Sequence, residues 1–261
     1  MFKKAILALV LLCSVITAAN AGIVIDRYRF GSSTFTPASV PDLALWLDAA
    51  DTATISQSGG LVSQWDDKSG HGYHATQATS SAQFGTGSRT INGRNAVECD
   101  GSNDFMTLPS GLYTMTTGAT TTFIAFQTDT IAASNQLLMD GGATGFNYRP
   151  GWIVSSGIKT IHNAASTSNE ALINSVVNTT GPHIVTMKRD DVLQTIYFDG
   201  GSATTAPAIN GTMTALRICR STGSTSPYDG LIGEILIYTR ALNDTERGNV
   251  RSYLSTKWGT P

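Results

Sequence analysis

The sequence predicts an all-β protein, a two-sheet antiparallel β-sandwich of the jelly-roll type with one C-terminal helix. Short runs rich in β-branched and aromatic residues recur along the chain, such as "TTTFIAFQT" at 120–128 and "HIVTMKR" at 183–189. Gly, Asn, Asp and Ser clusters separate these runs, and helical spacing of apolar residues stands out only near the C-terminus. No internal repeat is evident, so the 261 residues favour one large domain.

Each predicted strand is a short apolar or alternating run that ends at turn-forming residues. The predicted strands are DLALWLD (42–48), LVSQW (61–65), YHATQA (73–78), NAVECD (95–100), DFMTLP (104–109), TTTFIAFQT (120–128), QLLMD (136–140), GWIVSS (151–156), IKTIH (158–162), HIVTMKR (183–189), LQTIYFDG (193–200), TALRICR (214–220) and LIGEILIYT (231–239). "DDV" at 190–192 predicts a hairpin, and "GSN" at 101–103 predicts a turn.

The last predicted element is a helix that follows these strands. Asn243 and Glu246 have the spacing of a capping box, with Asn in place of the usual Ser or Thr. Apolar residues then recur at helical spacing, namely Val250, Tyr253, Leu254 and Trp258. Gly259 and Pro261 end the helix, and its apolar face is expected to pack on the sandwich.

The N-terminus resembles a signal peptide at residues 1–21. Lys3 and Lys4 precede an apolar run at 5–18, and "ANA" at 19–21 supplies small residues before Gly22. The run is shorter than the ~20 residues that span a bilayer, so no permanent membrane anchor is expected. The sequence therefore predicts a secreted, periplasmic or cell-surface protein, with an N-terminal arm at 22–39 and a domain at 40–261.

The net charge and the cysteine content indicate which partners and which covalent cross-links to expect. The formal net charge of −2 shows no basic footprint for nucleic acid. Cys13 would leave with the signal peptide, so Cys99 and Cys219 remain, both in predicted strands. Buried free thiols are favoured over a disulfide, although export would permit the bridge.

Four stretches carry a resemblance to a known family. They are "LALWLDAADTATI" (43–55), "VSQWDDKSGHGYHATQ" (62–77), "NGRNAVECDGSNDFM" (92–106) and "GEILIYTRALNDTERGNVRSYLSTKWG" (233–259). In this order they resemble the laminin G-like, concanavalin A-like lectin/glucanase jelly-roll domains of bacterial and phage proteins. The resemblance implies the fold, whereas the same scaffold serves lectins, adhesion modules, enzymes and virion parts.

The densest polar motif, "WDDKSGHGYHATQ" at 65–77, has three interpretations: a metal cup, an acid–base pair or a structural turn. A zinc site needs three or four converging ligands, which His71 and His74 alone do not supply. Asp66 or Asp67 can bind turn amides, and Gly70 suits a positive φ. The structural turn is therefore favoured.

Catalysis is not expected from the carboxylates. Glycosidases need two positioned carboxyl groups, and no two of the chain's four glutamates share a predicted strand. There is no nucleophile elbow, and neither His162 nor His183 has a sequence-local partner. A polysaccharide-cleaving enzyme stays open as an alternative.

Aromatic residues in predicted loops favour carbohydrate binding, because sugar rings stack on exposed aromatic faces. The segment "GGATGFNYRPGW" at 141–152 is the richest. Its candidate ligand-binding residues are Phe146, Asn147, Tyr148, Arg149 and Trp152. Tyr113 and Tyr228 are further candidates, whereas Trp46, Trp65 and Trp258 are assigned to packing. The alternative is a hairpin whose aromatics cap the core.

A calcium site is predicted in "CDGSND", where Asp100, Asn103 and Asp104 could supply oxygen ligands. The family resemblance implies calcium, and Glu234 or Asp229 would add a carboxylate if the closing strand lies beside this turn. The alternative is a hairpin connection in which Asp100 binds the turn amides.

Together these features favour an exported, non-catalytic recognition or adhesion module for glycans. The alternative is a structural protein, such as a capsid decoration, a tail component or a surface-layer protein, that uses the sandwich for protein contacts.

Overall fold

The computed structural model describes residues 35–112, 119–131, 135–143, 146–154, 157–164, 170–173, 181–201, 203–208 and 213–261. Residues Thr36–Pro261 form one compact unit. The predicted signal peptide and most of the predicted arm lie outside the described residues, as does Tyr113. In the described part of the chain, no helix is long and apolar enough to cross a membrane.

The described residues form eighteen strands and one α-helix. The strands are β1 (Leu43–Asp48), β2 (Ile55–Ser58), β3 (Leu61–Trp65), β4 (Ala75–Thr76), β5 (Phe84–Ile91), β6 (Arg94–Asp100), β7 (Met106–Thr107), β8 (Thr120–Thr128), β9 (Gln136–Leu137), β10 (Met139–Ala143), β11 (Phe146–Val154), β12 (Gly157–Ala164), β13 (Glu170–Ile173), β14 (His183–Arg189), β15 (Leu193–Phe198), β16 (Ala203–Pro207), β17 (Ala215–Ile218) and β18 (Asp229–Tyr238), and the helix is α1 (Asp244–Trp258). Short 3₁₀ turns include those at Pro37–Ser39, Thr52–Thr54 and Ser80–Ala82.

Antiparallel pairing arranges the strands in two layers. The first layer runs β16-β15-β14-β8-β18, and β18 pairs β6 along its first half and β1 along its second. The second layer runs β13-β12-β11-β10-β17-β7-β4-β3-β2, with β9 beside β11. Strand β5 pairs both β3 and β6 and so joins the layers. The predicted all-β sandwich with a C-terminal helix is confirmed.

The two central strands of the first layer are buried on both faces. Successive side chains of a strand point to opposite faces. Ile124 and Ile235 belong to the core between the layers, whereas Phe123 and Leu236 are buried on the other face. That other face also carries Glu234, which binds helix residues, so it lies under α1.

The capping box predicted for the helix is confirmed. The side chain of Asn243 accepts from the backbone of Glu246, and the side chain of Glu246 accepts from the backbone of Asn243. Gly259 ends the helix in the left-handed conformation. Three of the four predicted apolar residues are buried, namely Val250, Leu254 and Trp258.

The turn at 101–103 is present but does not form a hairpin. Strand β6 pairs β5 and β18, whereas β7 pairs β4 and β17, so the chain crosses from one layer to the other at this turn. The hairpin alternative for this turn is therefore wrong. The hairpin predicted at 190–192 is confirmed, since β14 pairs β15 directly.

The preference for free thiols is also wrong, because Cys99 and Cys219 form a disulfide. Cys99 lies in β6 beside the first layer, and Cys219 directly follows β17 in the second. The rolled topology brings their Cα atoms to 6.3 Å, a separation that a disulfide spans. The bridge is buried in the core.

Candidate functional site

The turn in the opening polar motif is organised by the carboxylate of Asp67. One oxygen accepts from the backbone amides of Trp46 (2.9 Å) and Ser69 (2.8 Å). The other accepts from the amide of Tyr73 (3.0 Å) and the hydroxyl of Ser69 (2.8 Å). The amide of Asp67 donates to Nδ1 of His74 at 3.0 Å. Because both Asp67 oxygens are saturated, the structural-turn interpretation is confirmed.

The same turn forms one wall of a surface pocket of about 190 Å³. His71 and Tyr73 line it with parallel rings, 13° apart in plane and 5.8 Å between centroids. Tyr73 lies directly against Gly111, where an added Cβ would come within 2.8 Å of the tyrosine ring. A glycine at 111 therefore allows the ring to take this position.

The opposite wall comes from the strand ends that meet at this edge of the first layer. Asp42 precedes β1 and Thr239 follows β18, and both line the pocket. The Asp42 side chain is 57% exposed, and its carboxylate lies 3.2 Å from Nε of Arg240. Arg240 is held in turn by Glu246 through two hydrogen bonds of 2.7 and 2.6 Å. The pocket thus combines two aromatic rings, a carboxylate and a hydroxyl.

The sequence did not single out this pocket. Asp42 and Tyr73 lie at the ends of predicted strands, and His71 lies in the predicted turn. The pattern His-Gly-Tyr was the available signal, because a glycine between two rings lets both project from a tight turn. The other lining residues, such as Asp42, Gly111 and Thr239, are distant in sequence, so only the fold reveals the concavity.

A second polar cluster is buried between β1, β18 and α1, around Glu234. One Glu234 oxygen accepts from Nε1 of Trp46 (2.7 Å) and the hydroxyl of Tyr253 (3.0 Å). The other accepts from Nζ of Lys257 (2.7 Å) and Nε1 of Trp258 (2.8 Å). All four donors are directed at a fully buried carboxyl group, so this cluster fastens the helix to the sheet.

Asp48 extends the cluster toward the surface. Lys257 also contacts Asp48 at 2.6 Å, and Lys68 binds the other Asp48 oxygen at 2.9 Å. Burial raises the pKa of Glu234, the charge of Asp48 raises it further, and the ammonium of Lys257 opposes both. The two carboxylates share a lysine and are not a free acid–base pair.

The predicted sugar-binding segment divides between the two faces of the second layer. Tyr148 is fully buried in the core, and its hydroxyl hydrogen-bonds Thr122. Burial raises the pKa of the Tyr148 phenol. Tyr228 is equally buried, with its hydroxyl 3.3 Å from the carbonyl of Leu231. Neither ring can stack on a sugar, which corrects the predictions for Tyr148 and Tyr228.

Arg149 and Trp152 lie on the outer face of the same strand. A register shift between them, typical of a β-bulge, places residues three apart on one side. The Trp152 ring is contacted by Nζ of Lys159 at 3.8 Å and by Cζ of Arg149 at 4.9 Å from its centroid. The side chains of Phe146 and Asn147 lie outside the described part of the chain. Ligand binding by these four residues stays a prediction.

The acidic turn after β6 is shaped by its own backbone. Oδ1 of Asp100 accepts from the amides of Ser102 (2.9 Å) and Asn103 (3.1 Å), and Oδ2 of Asp104 accepts from the amide of Asp100 (3.1 Å). Asn103 uses its side-chain amide to bind the carbonyl of Ser81. Calcium binding by Asp100, Asn103 and Asp104 stays a prediction.

Glu234 does not belong to this turn. Asp229 pairs with Asp100, and Glu234 lies five residues further along β18, about 15 Å away along the strand. Its carboxyl group is also fully occupied by donors from β1 and the helix. This corrects the prediction that Glu234 adds a calcium ligand. Among the described residues, no three His, Cys, Asp or Glu side chains are grouped to hold a metal.

The Asp104 carboxyl group makes the free energy of unfolding of the protein dependent on pH. Burial, together with the charge of Asp100, raises its pKa to about 7. An unfolded Asp titrates near pH ~4, so between pH ~4 and ~7 only the folded state holds the proton. Stability is therefore expected to fall as pH rises through this interval. Asp104→Asn should remove the fall and raise the stability at pH 8 by on the order of 2 kcal/mol.

Melting temperatures at pH 4 and pH 8 test this, with the exposed Asp191→Asn as a control that should leave their difference unchanged. An unchanged difference in the Asp104 variant would contradict the role of its carboxyl group. Calcium would favour ionised Asp104, so a calcium site predicts that millimolar calcium raises the melting temperature of the wild type at pH 8. The Asn variant should then respond less.

Comparison with known proteins supports the fold. The family model described as the concanavalin A-like lectin/glucanases superfamily, a laminin G type, matches residues 100–246. No curated protein matches the chain. The matched segment contains most of both layers, from the end of β6 to the start of α1.

Three similar solved structures come from larger proteins. Domain 4 of AbnA, a GH43 extracellular arabinanase from Geobacillus stearothermophilus in complex with arabinotriose, has a TM-score of 0.61 and 13% identity, covering 82% of this chain and 98% of that domain. Trypanosoma rangeli sialidase in complex with sialic acid has a TM-score of 0.60 and 15% identity, covering 84% of this chain. The binding domain of botulinum neurotoxin DC with rat synaptotagmin II has a TM-score of 0.52 and 11% identity, covering 84% of this chain and 52% of that one.

These likenesses concern the fold, since the chain spans only about a third (33%) of the sialidase. The match to the family model is stronger evidence than these likenesses, because it covers more than half of the sequence. The chain belongs to the concanavalin A-like lectin/glucanase superfamily.

Proposed function

We propose that this protein is an exported, non-catalytic recognition module that binds a glycan in the pocket beside His71 and Tyr73. One observation carries the proposal: two parallel aromatic rings line a concavity that also contains a carboxylate and a hydroxyl group. A sugar presents apolar C–H faces to aromatic rings and hydroxyl groups to acceptors. The pocket has a volume of about 190 Å³, below the ~300–1,000 Å³ typical of pockets for drug-sized ligands. This size suits a single sugar ring.

The non-catalytic part of the proposal follows from how the carboxylates are used. The buried carboxylates of Asp48 and Glu234 are bridged by Lys257 and serve the helix contact. Asp42 lines the pocket, with Arg240 as its ion-pair partner. The buried disulfide supports export, because such bridges persist in oxidising compartments. The arabinotriose and sialic acid in the similar structures supply the first ligands to try.

Substitution at the pocket tests the proposal. His71→Ala and Asp42→Asn are expected to weaken glycan binding about tenfold each, through loss of the stacking surface and of the charged acceptor. His71 is exposed, so its truncation should leave the melting temperature unchanged. Binding would be measured on a glycan array and by calorimetry with arabinotriose and sialic acid.

Leu193→Ala is the matched control, because Leu193 is an exposed apolar residue at the start of β15. It should bind as the wild type does. Full binding by both pocket variants would contradict the assignment of the site. Regular assembly of the protein without glycan binding would replace the proposal with the structural alternative, and polysaccharide turnover would replace it with an enzyme.

A further inference from the structure

Two arginines converge on the loop that follows β17 in the second layer. Arg217 lies in β17, and its Nη1 contacts the hydroxyl of Ser224 at 3.4 Å. Nη2 of Arg220 donates to the carbonyl of Ser224 at 2.9 Å. No described carboxylate forms an ion pair with either guanidinium, and Nε and Nη2 of Arg217 form no hydrogen bond with the described residues. Arg217 is half-buried, and these two donors are the ones that a ligand could use.

The charge around this pair is not balanced. Asp140 is buried and faces Arg217 across the β10–β17 pairing, but Oδ1 of Asp140 already accepts from Nε of Arg149 at 2.6 Å. Its other oxygen accepts from the amide of Thr222 at 2.7 Å. Asp140 thus pairs with Arg149, and the charges of Arg217 and Arg220 have no ion-pair partner among the described residues, on a chain whose formal net charge is −2.

The loop that positions the pair is fixed in several ways. It begins at Cys219, which is held by the disulfide and has a φ of 68°. The hydroxyl of Ser221 accepts from the amide of Thr225 at 2.9 Å. Nη1 of Arg220 also donates to the carbonyl of Asn103 at 3.1 Å. The site therefore exists before any ligand binds, which reduces the entropy cost of binding.

Aromatic rings flank the arginines on both sides. Cζ of Arg217 lies 4.4 Å from the ring centroid of Phe105, and Cζ of Arg149 lies 4.9 Å from that of Trp152. We call Arg149, Arg217, Arg220, Phe105 and Trp152 the arginine strip. It crosses strands β17, β10 and β11 on the outer face, so a polymer can lie along it.

We infer that the arginine strip is an oxyanion-binding surface for a polysaccharide that carries sulfate or carboxylate groups. The inference rests on the proposed glycan-binding function and names its ligand class. A guanidinium presents parallel N–H donors that match both of these anions. Planar sugar faces would contact Phe105 and Trp152 between the charged groups.

Binding to acidic polymers at low ionic strength tests the inference. The wild type is expected to bind dextran sulfate or polygalacturonate, or both, and to bind neutral dextran much more weakly. Which of the two acidic polymers binds identifies the anion. Arg217→Gln and Arg220→Gln should each weaken binding about tenfold or more, because each removes charged hydrogen bonds. Added salt should weaken the wild type more steeply than either variant.

Two further variants keep the result interpretable. Arg247→Gln is the matched control, since Arg247 pairs with Asp244 on the helix and lies over Tyr197, away from the strip. Arg217→Lys keeps the positive charge but lacks the parallel N–H donors of the guanidinium. It should bind at an intermediate level even if the Gln variant unfolds. His71→Ala should keep full binding to the acidic polymer, so failure of the pocket and failure of the strip are distinguishable. Equal binding by wild type and both Gln variants, or by neutral dextran, would overturn the inference, as would no binding to either acidic polymer.

Discussion

Replacement of Trp258 by alanine is expected to lower the free energy of unfolding by about 3–5 kcal/mol. The indole is fully buried between helix and sheet. Its ring lies on Gly233, where an added Cβ would come within 2.7 Å of the indole, so the two surfaces fit without a gap. Truncation leaves a cavity at this contact and removes the hydrogen bond from Nε1 to Glu234. Urea unfolding followed by circular dichroism measures the loss.

Trp258→Phe separates packing from polarity. It keeps most of the aromatic surface and loses the hydrogen bond to the Glu234 carboxyl group, which is worth about 0.5–3 kcal/mol. The phenylalanine variant should therefore fall between wild type and alanine. A melting temperature of the alanine variant equal to that of the wild type would show that α1 contributes little to the stability of the sandwich.

Loss of the disulfide has the second large expected effect. Replacing Cys99 and Cys219 by alanine should cost about 2–5 kcal/mol, because the bridge closes a segment with a sequence separation of 120 residues in the unfolded chain. The loss of stability lies in the upper part of that range if the bridge acts mainly by lowering the entropy of the unfolded chain. The folded state also loses a covalent link between its two layers.

The measurement compares the melting temperatures of the wild type and the double alanine variant with and without a reductant. The wild type should melt at the temperature of the double alanine variant once dithiothreitol has reduced the bridge, and the variant itself should not respond. A reduced wild type that melts like the oxidised protein would contradict the role of the bridge. Titration of free thiols verifies that reduction is complete.

Strands with a strong local pattern were predictable, and strands that depend on their neighbours were not. β3, β8 and β14 occur at the residues predicted, because each contains β-branched or aromatic residues and is followed by aspartate, a turn-forming residue. β16 is "ATTAP" and β2 is "ISQS", both polar edge strands that one neighbouring strand holds in place. Conversely, the predicted strand at 104–109 shrinks to two residues of β7.

The candidate site was predictable only in part, for a similar reason. Strand alternation separates Tyr148 from Arg149, but the sequence does not reveal which of the two faces the core. The disulfide and the pocket both join residues from distant strands. The local sequence does not show which distant residues lie close together in the fold. The Asp67 turn was recognisable because its partners include Ser69 and Tyr73, a few residues away.

Strand β18 determines when this chain can fold. It occupies residues 229–238, yet it is the shared neighbour of β1, β6 and β8, which lie at least 100 residues earlier. Such pairings give a high contact order, and chains of this kind fold slowly. Until β18 arrives, the edges of β1 and β8 are open to pairing with other chains. A chain that ends before residue 229 would lack the centre of the first layer and would aggregate in preference to forming a smaller sandwich.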